Sequence, residues 1–371
     1  MSTLAVVFDG GFQRRSDGAI GLPDKLVTGM LAYQARWPGS VALVARANDT
    51  DGPYNLGTQW REPGSLPFDI LLDDDFNTTV DKLRPALAML PTKAAIRYRA
   101  TAPYVVVTEK SALQELRAQL SLGLAAAAIP RAFAGSLRRH QQYTAAVKAA
   151  RGLQCNGYPA WDAFARHSTK PLLFFDTRLG AADVTAAKQL RTGVQRPLRL
   201  AFSGRLSGDK GPSYAVDAQR RLAAEGLPVR LTMFGSGPLL DELTQGAGPG
   251  VTFAGDVSFS PEWVNRIPQE VDLMVLPHPQ GDPAGTYLEA AGLGVPFVAF
   301  DNLAARALSK REGLGWCVPI GDTRQLARLI RELNSSSSRV AEASERGVAF
   351  MTEHSYEREF DRRVEHLQSC L

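Results

Sequence analysis

One carboxylate, Glu289, stands on an Ala/Leu/Gly segment just after a turn-rich loop, His278-Pro279-Gln280-Gly281-Asp282-Pro283-Ala284-Gly285. An acid on a helix beyond a Gly-containing anion loop could suit a sugar nucleotide. Free N–H groups at Gly285 and Thr286, with the Thr hydroxyl, would hold the diphosphate, and the acid would accept from a ribose diol. Two more side chains of the loop have chemistry to offer. His278 directly follows an apolar run and could contact a sugar, although loop histidines are usually incidental. Asp282 is a second acid, and equally the turn former expected before Pro283.

These residues need a frame, and the flanking sequence supplies one. An apolar run from Leu273 to Leu276 ends at Pro277, and a second from Pro296 to Phe300 closes the segment. Strand, loop, helix, strand is a βαβ crossover, with the loop at the carboxyl end of a parallel strand, where open α/β sheets bind ligands. Upstream, the run Leu198 to Ser203 ends in Gly204-Arg205-Leu206-Ser207-Gly208-Asp209-Lys210-Gly211. Arg205 and Lys210 at a strand end can stabilise charge that builds on a departing group. The run Val229 to Phe234 ends in Gly235-Ser236-Gly237-Pro238, where glycine permits either a tight turn or close approach to a ligand.

Alternation of this kind runs through the whole chain. In the first half, strands are expected at Leu4 to Phe8, Val41 to Ala45, Phe68 to Leu72, Ala94 to Arg97 and Tyr104 to Thr108. Helices are expected at Pro23 to Ala35, Val80 to Leu90 and from Ser111, and Gln154 to Pro159 reads as a turn. Gly10 and Gly11 follow the first strand as a loop. Arg97, Arg99 and Glu109 stand at the ends of later strands. Residues 46 to 67 form a Gly/Pro/Asp/Asn-rich loop, and Asp73-Asp74-Asp75 reads as a loop and helix start. After a helix at Ala181 to Gln195, Thr192 to Pro197 marks a break. A second series then begins, with helices after the strands at Leu198 and Val229 and a short strand from Val251 to Phe253. The fold class is α/β, two Rossmann-like doubly wound domains. The expected division is 1–190, 191–345 and a C-terminal segment, 346–371, whose helix carries Phe360, Val364 and Leu367 at helical spacing and packs back on the first domain.

Composition narrows the function classes. A chain of 371 residues with 44% hydrophobic and 22% charged residues has room for two ordinary cores. No apolar stretch reaches the roughly 18 to 20 residues of a spanning helix; the longest candidate, near Leu120 to Ile129, is short and Ala-rich. The amino terminus runs directly into a strand without a basic n-region, which argues against a signal peptide. Cys155, Cys317 and Cys370 are few and far apart, without metal-ligand spacing, and fit a reducing cytoplasm. The net charge of +4 is scattered over solvated faces. It leaves open a loose association with the inner face of an anionic membrane, while no aromatic–basic interleaving points to nucleic acid. No Gly-x-Gly-x-x-Gly opens a helix after a strand, which argues against a dinucleotide oxidoreductase.

The segments Gly204–Gly211, Phe234–Pro238, Val251–Val257 and Asp282–Pro296 follow one another in the order seen in the donor domain of GT-B glycosyltransferases, in particular the retaining family-4 group. The resemblance covers residues 198 to 330 and is mostly architectural over 1 to 190. It implies an NDP-sugar-dependent hexosyltransferase whose donor lies against the second domain and whose carbohydrate-type acceptor lies against the first, with the domains closing on the cleft. Arg205 and Lys210 would neutralise the diphosphate, with Gly10, Gly11, Gly204, Gly235, Gly237, Gly285 and Thr286 around the donor. The strand from Phe253 to Val257 would read the base through its backbone. Glu289 corresponds to the second acid of the E-x7-E motif, which bonds the ribose. Eight residues earlier stands Gly281 in place of the first acid, so Asp282, in a loop shortened by one residue, is the candidate beside the transferred sugar. Many family members place a histidine near the reacting sugar in the first half, where this chain has none before His140. The resemblance implies no cofactor beyond the nucleotide sugar and no metal, and leaves the oligomeric state open. Two other readings share the fold: a nucleotide-sugar epimerase or hydrolase, and a non-catalytic nucleotide-sugar binding protein.

Overall fold

The structure, a computed structural model, describes residues 2–47, 58–62, 64–121, 128–281, 283 and 285–371. The chain forms two compact units. The first comprises Met1–Leu113, Phe133–Phe174 and Arg358–Leu371; the second comprises Gln114–Ala132 and Phe175–Glu357.

The first unit is built on a seven-stranded sheet. Its strands are β1 (Leu4–Phe12), β3 (Val41–Ala47), β5 (Asp69–Leu72), β6 (Leu87–Pro91), β7 (Tyr104–Thr108), β8 (Gly152–Asn156) and β9 (Pro171–Phe174). They lie in the order β5-β3-β1-β6-β7-β8-β9, every neighbouring pair parallel. A separate antiparallel ribbon pairs β2 (Ile20–Pro23) with β4 (Thr58–Arg61). Much of the expected loop at 46 to 67 lies outside the described residues.

Three sequence expectations fail here for one reason. The helix expected over Val80 to Leu90 stops at Leu83, where Arg84 turns left-handed at φ 48°, and Leu87–Pro91 is instead a central strand. The strand expected at Ala94 to Arg97 is accordingly a short helix, Thr92–Ala95. Gln154, Cys155 and Asn156, expected in a turn, are buried in β8. A strand covered on both faces is apolar throughout or carries satisfied polar groups, so it loses the alternation that distinguishes a strand from a buried helix.

The C-terminal helix Tyr356–Ser369 buries Phe360, Val364 and Leu367, and from Arg358 onward it belongs to the first unit. Arg363 explains the buried Gln154: its Nε donates to Gln154 Oε1 at 3.1 Å, and its guanidinium carbon lies 4.1 Å from the Phe174 ring centroid. Helix Ala181–Leu190, counted with the first domain on sequence, lies by its contacts in the second unit, so the division falls after Phe174.

The second unit carries a six-stranded parallel sheet of β10 (Arg199–Ser203), β11 (Arg230–Phe234), β12 (Val251–Gly255), β13 (Leu273–Leu276), β14 (Phe297–Phe300) and β15 (Gly315–Val318). The order is β12-β11-β10-β13-β14-β15, so the chain winds outward from β10 in one direction and from β13 in the other. The point of reversal, between β10 and β13, is where such sheets open a crevice at their carboxyl ends. One face of the sheet packs on an apolar core that includes Leu200, Phe202, Leu231, Met233, Val275, Val298 and Phe300, and the other buries Ala201, Met274, Leu276, Phe297 and Ala299.

Candidate functional site

The loops at the carboxyl ends of β10, β11 and β12 are joined backbone to backbone. Gly204 donates to the Phe234 carbonyl at 3.1 Å, Leu206 to Ser236 at 2.8 Å and Gly235 to Gly255 at 2.8 Å. Gln280 Nε2 donates to Asp209 Oδ2 at 2.8 Å, tying the loop after β13 to the loop after β10. This close approach explains the glycines. A Cβ on Gly235 would stand 2.2 Å from the Gly204 carbonyl oxygen, and its φ of 117° is itself a glycine conformation. Gly237 is crowded in the same way by Leu206. Gly211, at φ 65°, opens the helix Pro212–Ala224 with its Cα turned to the Pro277 carbonyl, 2.3 Å from where a Cβ would stand. Loop packing therefore accounts for these glycines without a ligand.

That packing brings two motifs distant in sequence to the switch point. Arg205 is exposed and Lys210 partly buried, and neither makes an ion pair with another described residue. His278 is buried, and burial, reinforced by the nearby Lys210 ammonium, pushes its pKa down to about 3. Its imidazole is therefore neutral at pH 7. Nε2 is buried without a hydrogen-bond partner among the described residues. The His278 carbonyl accepts from Asn302 Nδ2 at 3.0 Å; Asn302 also donates to the Tyr287 hydroxyl at 3.2 Å and caps the next helix through Ala305 N–H at 2.9 Å. One buried amide thus fixes the loop after β13, the helix that follows it and the start of the next.

Helix Gly285–Gly292 is buried from Tyr287 to Gly292, with Gly285 and the partly buried Thr286 at its free N–H end. Glu289 is 3% exposed. Its side chain runs back along the helix, as helical side chains do, until Oε1 lies 3.3 Å from the Cβ position of Gly285. Arg178 forks onto it, Nε to Oε1 at 2.9 Å and Nη2 to Oε2 at 3.1 Å. The same guanidinium carbon stands 3.8 Å from the centroid of the Phe259 ring.

Not every expected site residue joins this group. Asp282 lies outside the described residues. Phe253 sits on edge strand β12, and its side chain packs on the core, leaving its backbone at the sheet margin; Val257 follows in the next loop, partly buried. Gly10 and Gly11 are not in a loop: they lie inside β1, in the first unit, where the pairing register with β3 shifts between Val7 and Gly11. Gly10 makes room for a ring, since a Cβ there would stand 2.4 Å from Cε1 of Phe8. Arg97, expected at a strand end, instead follows the short helix Thr92–Ala95 and pairs with Asp9 within β1, while Asn156 at the end of β8 donates to Glu109, just past β7, at 3.3 Å. Asp75 caps its helix by accepting from Asn77 N–H. Sequence reading missed Arg178, Phe259 and Asn302. Only Asn302, a cap residue after a strand, left a local signal. No three His, Cys, Asp or Glu side chains among the described residues are grouped to hold a metal ion.

Two doubly wound units, the second with its strands running outward in both directions from a β10/β13 switch point, define the GT-B fold of glycosyltransferases. Residues 197–336 match the family model for glycosyl transferases group 1. The amylovoran biosynthesis glycosyltransferase AmsK of Erwinia amylovora is 29% identical over 173 residues, 44% of this chain and 42% of that protein. The chain thus matches less than half the length of this relative. Among solved structures, HepE of Anabaena superposes with a TM-score of 0.67 at 15% identity over all of both chains. It has been solved with UDP, with UDP and glucose, and with UDP-glucose. Sucrose-phosphate synthase of Thermosynechococcus elongatus superposes at 0.65, with 15% identity, over 100% of this chain and 98% of that one.

Proposed function

We propose that the protein is a glycosyltransferase that moves a hexosyl group from a nucleoside diphosphate sugar to a hydroxyl of a carbohydrate-type acceptor, with retention and without a metal. In that reaction the bond from the anomeric carbon to the diphosphate oxygen breaks, a bond to the acceptor oxygen forms, and the acceptor proton is released. Negative charge builds on the departing diphosphate, and the chain's part is to stabilise it.

The observation that carries this reading is the gathering of Lys210, Gly211, His278 and the loop leading to helix Gly285–Gly292 at the β10/β13 switch point. Two cations without an ion-pair partner among the described residues, Arg205 and Lys210, and the N–H groups at Gly285 and Thr286 take the part a divalent metal plays elsewhere. The neutral His278 leaves Nε2 for a sugar hydroxyl, and Glu289 accepts from the ribose. Asp282 is the candidate beside the sugar. No described helix is long and apolar enough to cross a membrane. We place the enzyme in the cytoplasm, with the basic surface suited to loose contact with the inner membrane face.

The test is a panel of UDP-, GDP- and ADP-sugars by calorimetry, followed by product analysis. At least one donor binds, turnover needs an acceptor and survives chelator, and the product keeps the anomeric configuration. Arg205→Ala and Lys210→Ala each lower kcat by about a hundredfold or more while the protein stays folded. Absence of binding by every donor would sink the reading; donor hydrolysis at the same rate without acceptor would move it to the hydrolases.

A further inference from the structure

Helix Ile129–Ala149 reverses the usual order of burial in its first half. Ser136 is 1% exposed, while Phe133 is 54% and Leu137 43% exposed. Ile129, one turn before Phe133 on the same helix, is exposed as well, so large apolar side chains recur every four residues along one stripe. Among the described residues the only large apolar side chain more exposed than Phe133 is Leu371, the last of the chain. The helix already packs on the first unit's core through Tyr143, Ala146 and Val147. A surface helix needs one apolar face, and this one has a second. A Cβ added to Gly135, between Phe133 and Leu137, would meet nothing within 4 Å, so the helix stands clear of its neighbours there.

Charge on the helix is of one sign. No Asp or Glu stands between Glu115 and Asp162. The helix carries Arg131, Arg138, Arg139 and Lys148, all exposed, and of these Arg131, Arg138 and Lys148 make no ion pair with a described residue. Desolvation first, and then the Arg166 and Lys148 charges, hold His167 below the usual imidazole range, so positive charge gathers at the carboxyl end of the helix. An apolar stripe flanked by unneutralised cations matches the boundary of an anionic bilayer, where apolar side chains enter the acyl region and cations stay among the headgroups. A second copy of the chain is a poor occupant. Two-fold apposition of this face would set like charge against like, and three partly exposed side chains fall far short of the roughly 800 Å² per partner in a stable interface.

We infer that the outer face of helix Ile129–Ala149 is a membrane-docking surface, with Phe133 and Leu137 inserted among anionic phospholipids and Arg131, Arg138 and Lys148 on their headgroups. The inference gives a place to the membrane contact proposed above and is independent of the nucleotide site, none of whose residues lies on this helix. The two parts of the surface respond differently to salt. Each cation near an anionic surface strengthens binding by about fivefold, an effect that salt screens. Insertion of the apolar side chains persists at high salt, because it depends on area removed from water.

The experiment sediments the full chain with vesicles of phosphatidylcholine alone and of phosphatidylcholine mixed with phosphatidylglycerol, with thermal unfolding and donor-sugar affinity measured alongside. Wild type partitions onto the mixed vesicles better than onto the neutral ones by about tenfold or more, and salt narrows the difference. Phe133→Ser combined with Leu137→Ser lowers partitioning by about tenfold or more at any salt concentration. Arg138→Gln combined with Lys148→Gln lowers it by about twenty-five-fold at low salt and by less at high salt. Both double variants keep the wild-type melting temperature and donor affinity, since the four side chains are exposed. Phe133→Trp is quenched by vesicles brominated on the acyl chains beyond the wild-type level. A wild type that ignores the mixed vesicles, or a folded serine variant that partitions as well as wild type, overturns the inference and leaves the nucleotide site standing. So does a wild-type dimer in solution that the serine variant abolishes. Should the serine variant unfold, absence of the added quenching in Phe133→Trp overturns it.

Discussion

The two ends of the six-stranded sheet use the same pair of residue types for different purposes. At the amino ends of β10 and β13, Arg199 and Asp272 sew neighbouring strands together, with all four acceptor sites of the acid filled from within the unit. At the carboxyl ends, Arg178 and Glu289 form a fork of two hydrogen bonds, the ones Glu289 accepts among the described residues. Exposure follows the same division: Arg199 has 27% of its side chain exposed and Arg178 44%. Among the described residues Nε2 of His278 has no hydrogen-bond partner, and Arg205 and Lys210 have no ion-pair partner. The difference teaches that a buried ion pair is read by counting what it leaves over. The saturated acid, Asp272, is a strut; Glu289 is the acid we propose for the ribose.

The comparison can be broken by removing each acid in turn. Asp272→Ala strands the Arg199 guanidinium and two backbone N–H groups in a buried setting and costs about 3 to 5 kcal/mol by denaturant unfolding. The nucleotide affinity of the protein that remains folded is unchanged. Equal loss of affinity would show that the amino end also serves the ligand. The next largest effect belongs to His278 and depends on pH. Its folded pKa, about 3, lies below the ordinary 6.5, so below pH 6.5 the unfolded chain takes up the proton first. Its contribution to stability is therefore complete above that value and falls as pH drops toward 3. His278→Gln flattens this acid limb by up to about 1.4 kcal/mol per pH unit, read from urea midpoints between pH 7 and pH 4. A parallel limb in the variant would mean that the imidazole charges freely in the folded state. The smallest effect on stability is that of Glu289→Ala, about 1 to 2 kcal/mol, because the exposed side of Arg178 can be rehydrated. Its effect on ribonucleotide affinity is at least tenfold, the reverse of Asp272. Two acids whose losses divide in the same way between stability and binding would end the distinction.

Legibility in the sequence followed local determination. Strand β13 occupies Leu273–Leu276 and β14 ends at Phe300, as their apolar runs and flanking prolines indicated. The stretch from Gly204 to Gly211 was readable as a strand-end loop because glycine and charge there break an apolar run sharply. Leu87–Pro91 was not readable as a strand: a short apolar run covered on both faces looks the same in either secondary structure. Gly10 read as a loop residue after the first strand, but it lies inside β1, where a Cβ would meet the Phe8 ring two residues earlier. Gly235 and Gly237 were read as turn or ligand approach, and neighbouring loops are enough to demand them. Arg178 was invisible for the plainest reason, since it lies 111 residues from its partner in a segment with no motif.

By itself the sequence determined the alternation of strands and helices, the loop chemistry at each strand end, and the presence of one acid on the helix after the anion loop. These depend on side-chain period and on the residues that end an apolar run, both of which act over a few positions. Tertiary structure decided which neighbours those residues would have. It brought Gly211 to Pro277 and Lys210 near His278, and it placed the Arg178 fork on Glu289. Hydrogen-bond saturation is a property of a completed neighbourhood, and two acids that look alike in sequence acquire opposite roles only when the donors around them are set in space.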